Sequence, residues 1–157
     1  MIDPESDAYR RSFHSSQGEL AYTVEVEERA EPGDVLVAAT DRPGFMRRAA
    51  REGDPAVVGV VADAPGVLLG AAGVSTWAST GGTQADSKHA YLAVSGIVSC
   101  KVDASYGPIR VGDLLVTSST PGHAMAAQAP APGTVVGKAL EAFDGGTGTI
   151  KVLVMLR

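Results

Sequence analysis

A single cysteine excludes an intrachain disulfide, and three scattered histidines offer no ligand set with recognisable metal spacing, so neither a disulfide framework nor a bound metal is expected. No apolar run approaches the ~18 residues that span a bilayer. The opening stretch through Arg11 also lacks the basic-then-apolar order of a signal peptide, so the expected chain is unprocessed and made without membrane insertion. Aromatic residues are only 5% of the sequence, too few to line an apolar ligand pocket, and no cofactor is expected.

Net charge is −5, unevenly spread: residues 1–78 carry seven Lys/Arg against thirteen Asp/Glu, and residues 79–157 carry six against five. The local basic patch, Arg47, Arg48 and Arg51 beside Arg42, reads as the solvated face of a short helical turn. A phosphate-binding surface needs more clustered positive charge than this, so nucleic acid is not an expected partner.

What the sequence has is ordinary globular composition, 45% hydrophobic and 20% charged, with nineteen Gly and nine Pro as punctuation. Period two dominates. In Glu19 to Glu27 it puts Leu20, Tyr22, Val24 and Val26 inward, and Ala21, Thr23, Glu25 and Glu27 outward. From Tyr91 to Asp103 the inward set is Leu92, Val94, Val98, Cys100 and Val102. Ser95, Ser99, Lys101 and Asp103 lie opposite, and Gly96 marks a bulge or bend.

In the last strand Ile150, Val152, Val154 and Leu156 point inward, while Leu153 and Met155 make the other face apolar too, as contacts for a neighbouring subunit. Short apolar runs at 34–39, 57–61, 67–69, 114–116 and 135–136 read as buried strands. Phe45 to Glu52 reads as two helical turns closed by Gly53, and residues 1–18 as a polar arm. The expected fold is all-β, a compact barrel or sandwich of short strands in one domain over 19–157.

Glu31 to Val37 aligns with Arg110 to Val116 at an offset of 79, and Pro43-Gly44 and Val58-Gly59 align with Pro121-Gly122 and Val136-Gly137 at 78. Two pseudo-repeats, about 19–78 and 92–157, are the simplest account. Gly33-Asp34 and Gly112-Asp113 read as turn formers: glycine takes positive φ and aspartate bonds nearby amides. The unit resembles the Gly-Asp box of cradle-loop and related small β-barrels.

Catalytic motifs are mostly missing. Gly133 to Ala139 is one residue short of a phosphate loop and has Ala139 where a hydroxyl is needed. Cys100, on an apolar strand face, reads as core. Ser118 to Met125 brings hydroxyls and an imidazole into one turn, making Ser118, Ser119 and His123 the candidate nucleophile and base; the competing reading is a Pro-Gly turn whose hydroxyls satisfy local backbone. His14 falls in the arm, His89 at the edge of an expected mobile loop over 79–88, and Trp77 just before that loop.

The runs Val94–Asp103, Tyr106–Met125, Gly133–Glu141 and Gly148–Val154 together resemble a bacterial and phage module. It is the β-rich domain found near the C-termini of tail-fibre-like and neck-appendage-like proteins, related to the autoproteolytic domain of phage appendages. Pro32–Val37 and Val57–Gly66 fit its first half, so the resemblance covers about 19–157. It implies a non-enzymatic structural subunit of a phage or phage-like particle, a homotrimer located in the virion beside other structural proteins. The polar arm in place of a fibre shaft favours a small accessory subunit. A capsid decoration or cement protein is the near alternative. An autoprocessing protease-like domain, using Ser118, Ser119 or His123 with Asp103 or Asp113, is the alternative of another class. A ligand-binding barrel with a lid at Gly81-Gly82 comes third.

Overall fold

A computed structural model describes residues 19–70, 73–75 and 86–157; the arm, Trp77, and the Gly81-Gly82 lid lie outside the described residues. Among the described residues, eleven strands account for the regular structure, with one 3-10 turn at Ala104–Tyr106, so the fold is all-β. They are β1 (Leu20–Val26), β2 (Val35–Ala38), β3 (Phe45–Arg48), β4 (Val57–Val61), β5 (Val67–Gly70), β6 (Gly73–Ser75), β7 (His89–Asp103), β8 (Leu114–Thr117), β9 (Ala124–Ala126), β10 (Val135–Ala139) and β11 (Thr147–Met155).

The sheet runs β11-β10-β8-β9-β7-β4-β2-β3-β1-β5-β6, with further pairings of β7 to β11 and to β1. Those pairings close two circuits, β7-β4-β2-β3-β1 and β7-β9-β8-β10-β11, and both share β7. Closure pairs strand edges that would otherwise stay open. At 15 residues β7 is long enough to serve both circuits: its first part pairs with β1 and β4, its second with β11 and β9.

The two circuits share pairing registers. Leu36 faces Arg48 and Gly59 in β3 and β4, while Leu115 faces Ala126 and Gly137 in β9 and β10. The parallel contact Val26–Met46 has a counterpart in Val102–Ala124. The main core runs through both circuits and includes Val35, Val60, Cys100, Ile109, Leu115, Val136 and Val152. A smaller cluster of Val26, Leu36, Val61, Ala90 and Leu92 belongs to the first circuit.

Four sequence expectations need correction. Phe45–Arg48 is a strand, not part of a helix; β1 and β2 offer it ladders on both sides, and eight helix-favouring residues are too few to hold a helix against that. In β1, Ala21 is fully buried and Tyr22 is 43% exposed. A bulge between Leu20 and Ala21 in the pairing with β7 changes which side chains face the main core. Asp103, expected to face outward, is buried because it caps the 3-10 turn. Leu156, expected inward, lies past the end of β11 and is exposed. The bend expected at Gly96 is present, with a φ of 107° one residue beyond the shifted register at Ser95.

Candidate functional site

The two Gly-Asp turns have the same construction. Gly33 and Gly112 both have φ of 93°, a region open chiefly to glycine. The Asp34 carboxylate accepts from Glu31 N at 2.8 Å, and the Asp113 carboxylate from Arg110 N at 2.9 Å. Each aspartate N–H returns a 3.0 Å bond to the carbonyl of Glu31 or Arg110. Both carboxylates are engaged in forming their turns, and neither meets His123.

The turns differ in what they contact next. Asp34 is 1% exposed, and its Oδ1 lies 2.8 Å from Lys101 Nζ, which also reaches Glu31 at 2.8 Å. Lys101 N donates to Gly33 O, so β7 holds this turn by side chain and backbone. Burial pulls the Lys101 ammonium down, but hydrogen bonds to Asp34 and Glu31 outweigh it, and the group ends above its ordinary value. A bond and a full charge from Lys101 hold the Glu31 carboxyl below its ordinary value.

The turn from Ser118 to His123 spends its first hydroxyl locally. Ser118 is fully buried; its Oγ donates to His123 O at 2.7 Å and accepts from Thr120 N at 3.2 Å. His123 Nδ1 lies 2.7 Å from Pro121 O, and since a carbonyl only accepts, that nitrogen carries the proton. Among the described residues no hydrogen bond joins the His123 imidazole to Ser118 Oγ or Ser119 Oγ, so the nucleophile–base pair suggested by the sequence is not assembled.

A different chain of hydroxyls is present. Thr120 Oγ1 donates to Asp103 at 2.7 Å, and Tyr106 OH lies 3.0 Å from Thr120 Oγ1 and 2.8 Å from Ser119 Oγ. The carboxylate only accepts, so each hydroxyl hands its single proton inward, from Ser119 to Tyr106 to Thr120 to Asp103. Bonds from Ser105, then Thr120, hold the Asp103 carboxyl below its ordinary value, which makes it a weak proton acceptor. The geometry orders a turn. Tyr106 had no signal in the sequence, because its partners lie thirteen and fourteen residues away.

The arginine patch borders a cleft of about 370 Å³ lined by Val37, Arg47, Arg48, Arg51, Asp54 and Ala56, among others. Its charges are matched in place: Arg47 meets Glu27 and Asp41, Arg48 meets Glu28, and Arg51 meets Asp54. Arg42 stacks over Phe45. Four carboxylates for three guanidiniums leave no net attraction for an anion. Cys100 is fully buried, and burial, followed by the charge of Asp34, pushes its thiol up to about 12, far from a reactive thiolate.

The outward face of β7 and β11 is different in kind. Leu153 is paired across the strands with Ile97 on one side and Lys138 on the other. Ile97 is 50% and Leu153 37% exposed, with Met155 half-buried two residues along. Lys151 reaches Ser99 Oγ at 2.9 Å, and its N–H is held by Glu141. Sequence reading singled out Leu153 and Met155 but missed Ile97, although its odd position in an outward-polar run was the available signal.

No protein-family model matches the chain, and no curated protein does. Among solved structures the chain is similar to the head fibre gp8.5 N base of bacteriophage phi29, at 17% identity and a TM-score of 0.48 over 86% of this chain and 92% of that one.

Proposed function

We propose that this protein is a non-enzymatic structural subunit of a phage or phage-like particle, built into it as a homotrimer. The observation that carries self-assembly is the exposed cross-strand pair Ile97–Leu153 with Met155 beside it. Three clustered apolar side chains on a regular sheet face are costly to leave in water and mark a contact surface. The particle context comes from the resemblance of the Val94–Val154 runs to phage appendage modules.

Magnitude limits what this face does alone. Completing the burial of these three side chains contributes roughly 2–4 kcal/mol, less than the ~4–15 kcal/mol that association costs in lost freedom. The trimer therefore needs further contact area beyond this cluster.

Native mass spectrometry of the full chain tests the proposal. The expected result is a complex of three intact 16.0 kDa chains that is lost in Leu153→Asp, with the circular dichroism spectrum unchanged. A wild-type monomer at micromolar concentration overturns the trimer. Subunits shortened at one defined bond overturn the non-enzymatic reading.

A further inference from the structure

The two circuits meet through unlike surfaces. On the first circuit it is the Gly-Asp turn that makes the contact: Val35 N donates to Gly122 O, Lys101 N to Gly33 O, and Gly122 N to Ala49 O. Gly33, Asp34, Val35 and Ala49 are buried there, as are Ser118 and Gly122 of the second circuit. Each circuit carries a counterpart of both surfaces. Gly112, Asp113 and Leu114 stand in the second circuit where Gly33, Asp34 and Val35 stand in the first, and Ala127 N donates to Leu114 O as Ala49 N does to Val35 O. At the offset of 78 that aligns Pro43-Gly44 with Pro121-Gly122, Thr40 and Gly44 stand where Ser118 and Gly122 do.

Every one of these counterparts is less buried. Gly112, Thr40 and Gly44 are exposed, and Asp113, Leu114 and Ala127 are half-buried. A Cβ at Gly33 would lie 3.2 Å from Lys101 Cγ, and one at Gly122 2.4 Å from Asp34 Oδ1; at Gly112 or Gly44 it would meet nothing within 4 Å among the described residues. Gly112 N donates to Ala139 O, which sets Val111 and Leu140, 66% and 36% exposed, beside the open turn. Charge follows the same correspondence. In the contact already made, Lys101 of β7 lies between two carboxylates of the turn, Asp34 and Glu31. Glu25 precedes Val26 on β1 as Lys101 precedes Val102 on β7, and Arg110 stands in the second turn where Glu31 stands in the first. Both are exposed. Joining the two open surfaces would again place one cation with two carboxylates, Arg110 with Asp113 and Glu25, the cation having moved from strand to turn.

We propose that the Gly112-Asp113 turn of one copy docks on the Thr40–Gly44 edge and Glu25 of the next, repeating between chains the contact that joins the circuits within one. The occupant of each open surface is therefore a second copy of this chain. A contact between unlike surfaces generates a ring when its rotation closes. Three of them close the trimer proposed above, on which this inference rests, and they supply contact area that its apolar face alone lacks.

Charge swapping read by native mass spectrometry at low salt tests the pairing. R110E and E25R are each expected to weaken the trimer about tenfold or more, and E25R/R110E to recover it, because the pair is restored with its sign inverted. Melting curves confirm that each variant is folded. The geometry is read separately by co-expressing E25C with R110C and adding a short bis-maleimide. Links between the unlike variants are expected, and none in either variant alone, since Cys100 is fully buried. A trimer that survives unchanged in folded R110E, or a mixture that gives no link, overturns this docking and leaves the trimer standing. Links within one variant alone, or both single variants weakened without recovery in the swap, also overturn the pairing. A monomeric wild type overturns both proposals.

Discussion

Lys101 joins the two circuits through one side chain. Its ammonium is the charged partner of Asp34, and it also meets Glu31 at the surface. Gly122 presses on the same carboxylate: a Cβ there would lie 2.4 Å from Asp34 Oδ1, at a φ of 74°. Removing Lys101 leaves a buried carboxylate without its cation, so Lys101→Ala is expected to cost about 2–4 kcal/mol, somewhat discounted because the lysine is partly exposed. Gly122→Ala is expected to cost a similar amount, about 2–4 kcal/mol, from backbone strain and displacement of the same carboxylate. Because both act through Asp34, the double variant should lose less than the sum of the singles. Urea unfolding of the four proteins measures this. Strict additivity would mean that the two residues do not share a partner.

At the scale of elements, the 3-10 turn and the turn from Ser118 to His123 are tied by Asp103. Its folded pKa lies below the unfolded value, about 3.9, because Ser105 and Thr120 donate to the charged form. The contribution is therefore present above pH 4 and lost as pH falls through the depressed folded value. Asp103→Asn should be less stable than wild type at pH 7, and the gap should narrow by pH 3. Urea midpoints at both pH values check it; a constant gap would assign the acid sensitivity to another group.

Period two made most strands legible, because apolar residues alternated or ran between Gly and Pro. It failed over Phe45–Glu52, where Arg, Ala and Glu favour a helix locally and only partners distant in sequence, β1 among them, decide for a strand at Phe45–Arg48. It failed again at Ala21 and Tyr22, where a bulge shifts the pairing. Of the candidate site, the Gly-Asp turns were readable because their hydrogen bonds span three residues. The Lys101–Asp34 pair spans 67 and had no local trace.

For the whole molecule, closure of both circuits on β7 bears on how the chain unfolds. Other links cross between the circuits: Val35 N donates to Gly122 O, Gly122 N to Ala49 O, and Gly53 N to Thr117 O. Thr117, fully buried, accepts from Asp54 N and donates to Arg51 O, each at 2.7 Å. A strand shared by both circuits, with bonds running between them, leaves neither half a core that survives loss of the other. Thr117→Val removes the buried hydroxyl and leaves a part-buried N–H and C=O without it, an expected cost of about 2–3 kcal/mol. If unfolding is one cooperative event, the slowest-exchanging amides of β2 and of β10 should share one opening free energy. Both should then speed up by the same factor in Thr117→Val, roughly 30- to 160-fold for that cost. Hydrogen exchange measured strand by strand decides the matter: faster exchange confined to one circuit would show two separately stable halves and would sink the view that β7 couples them.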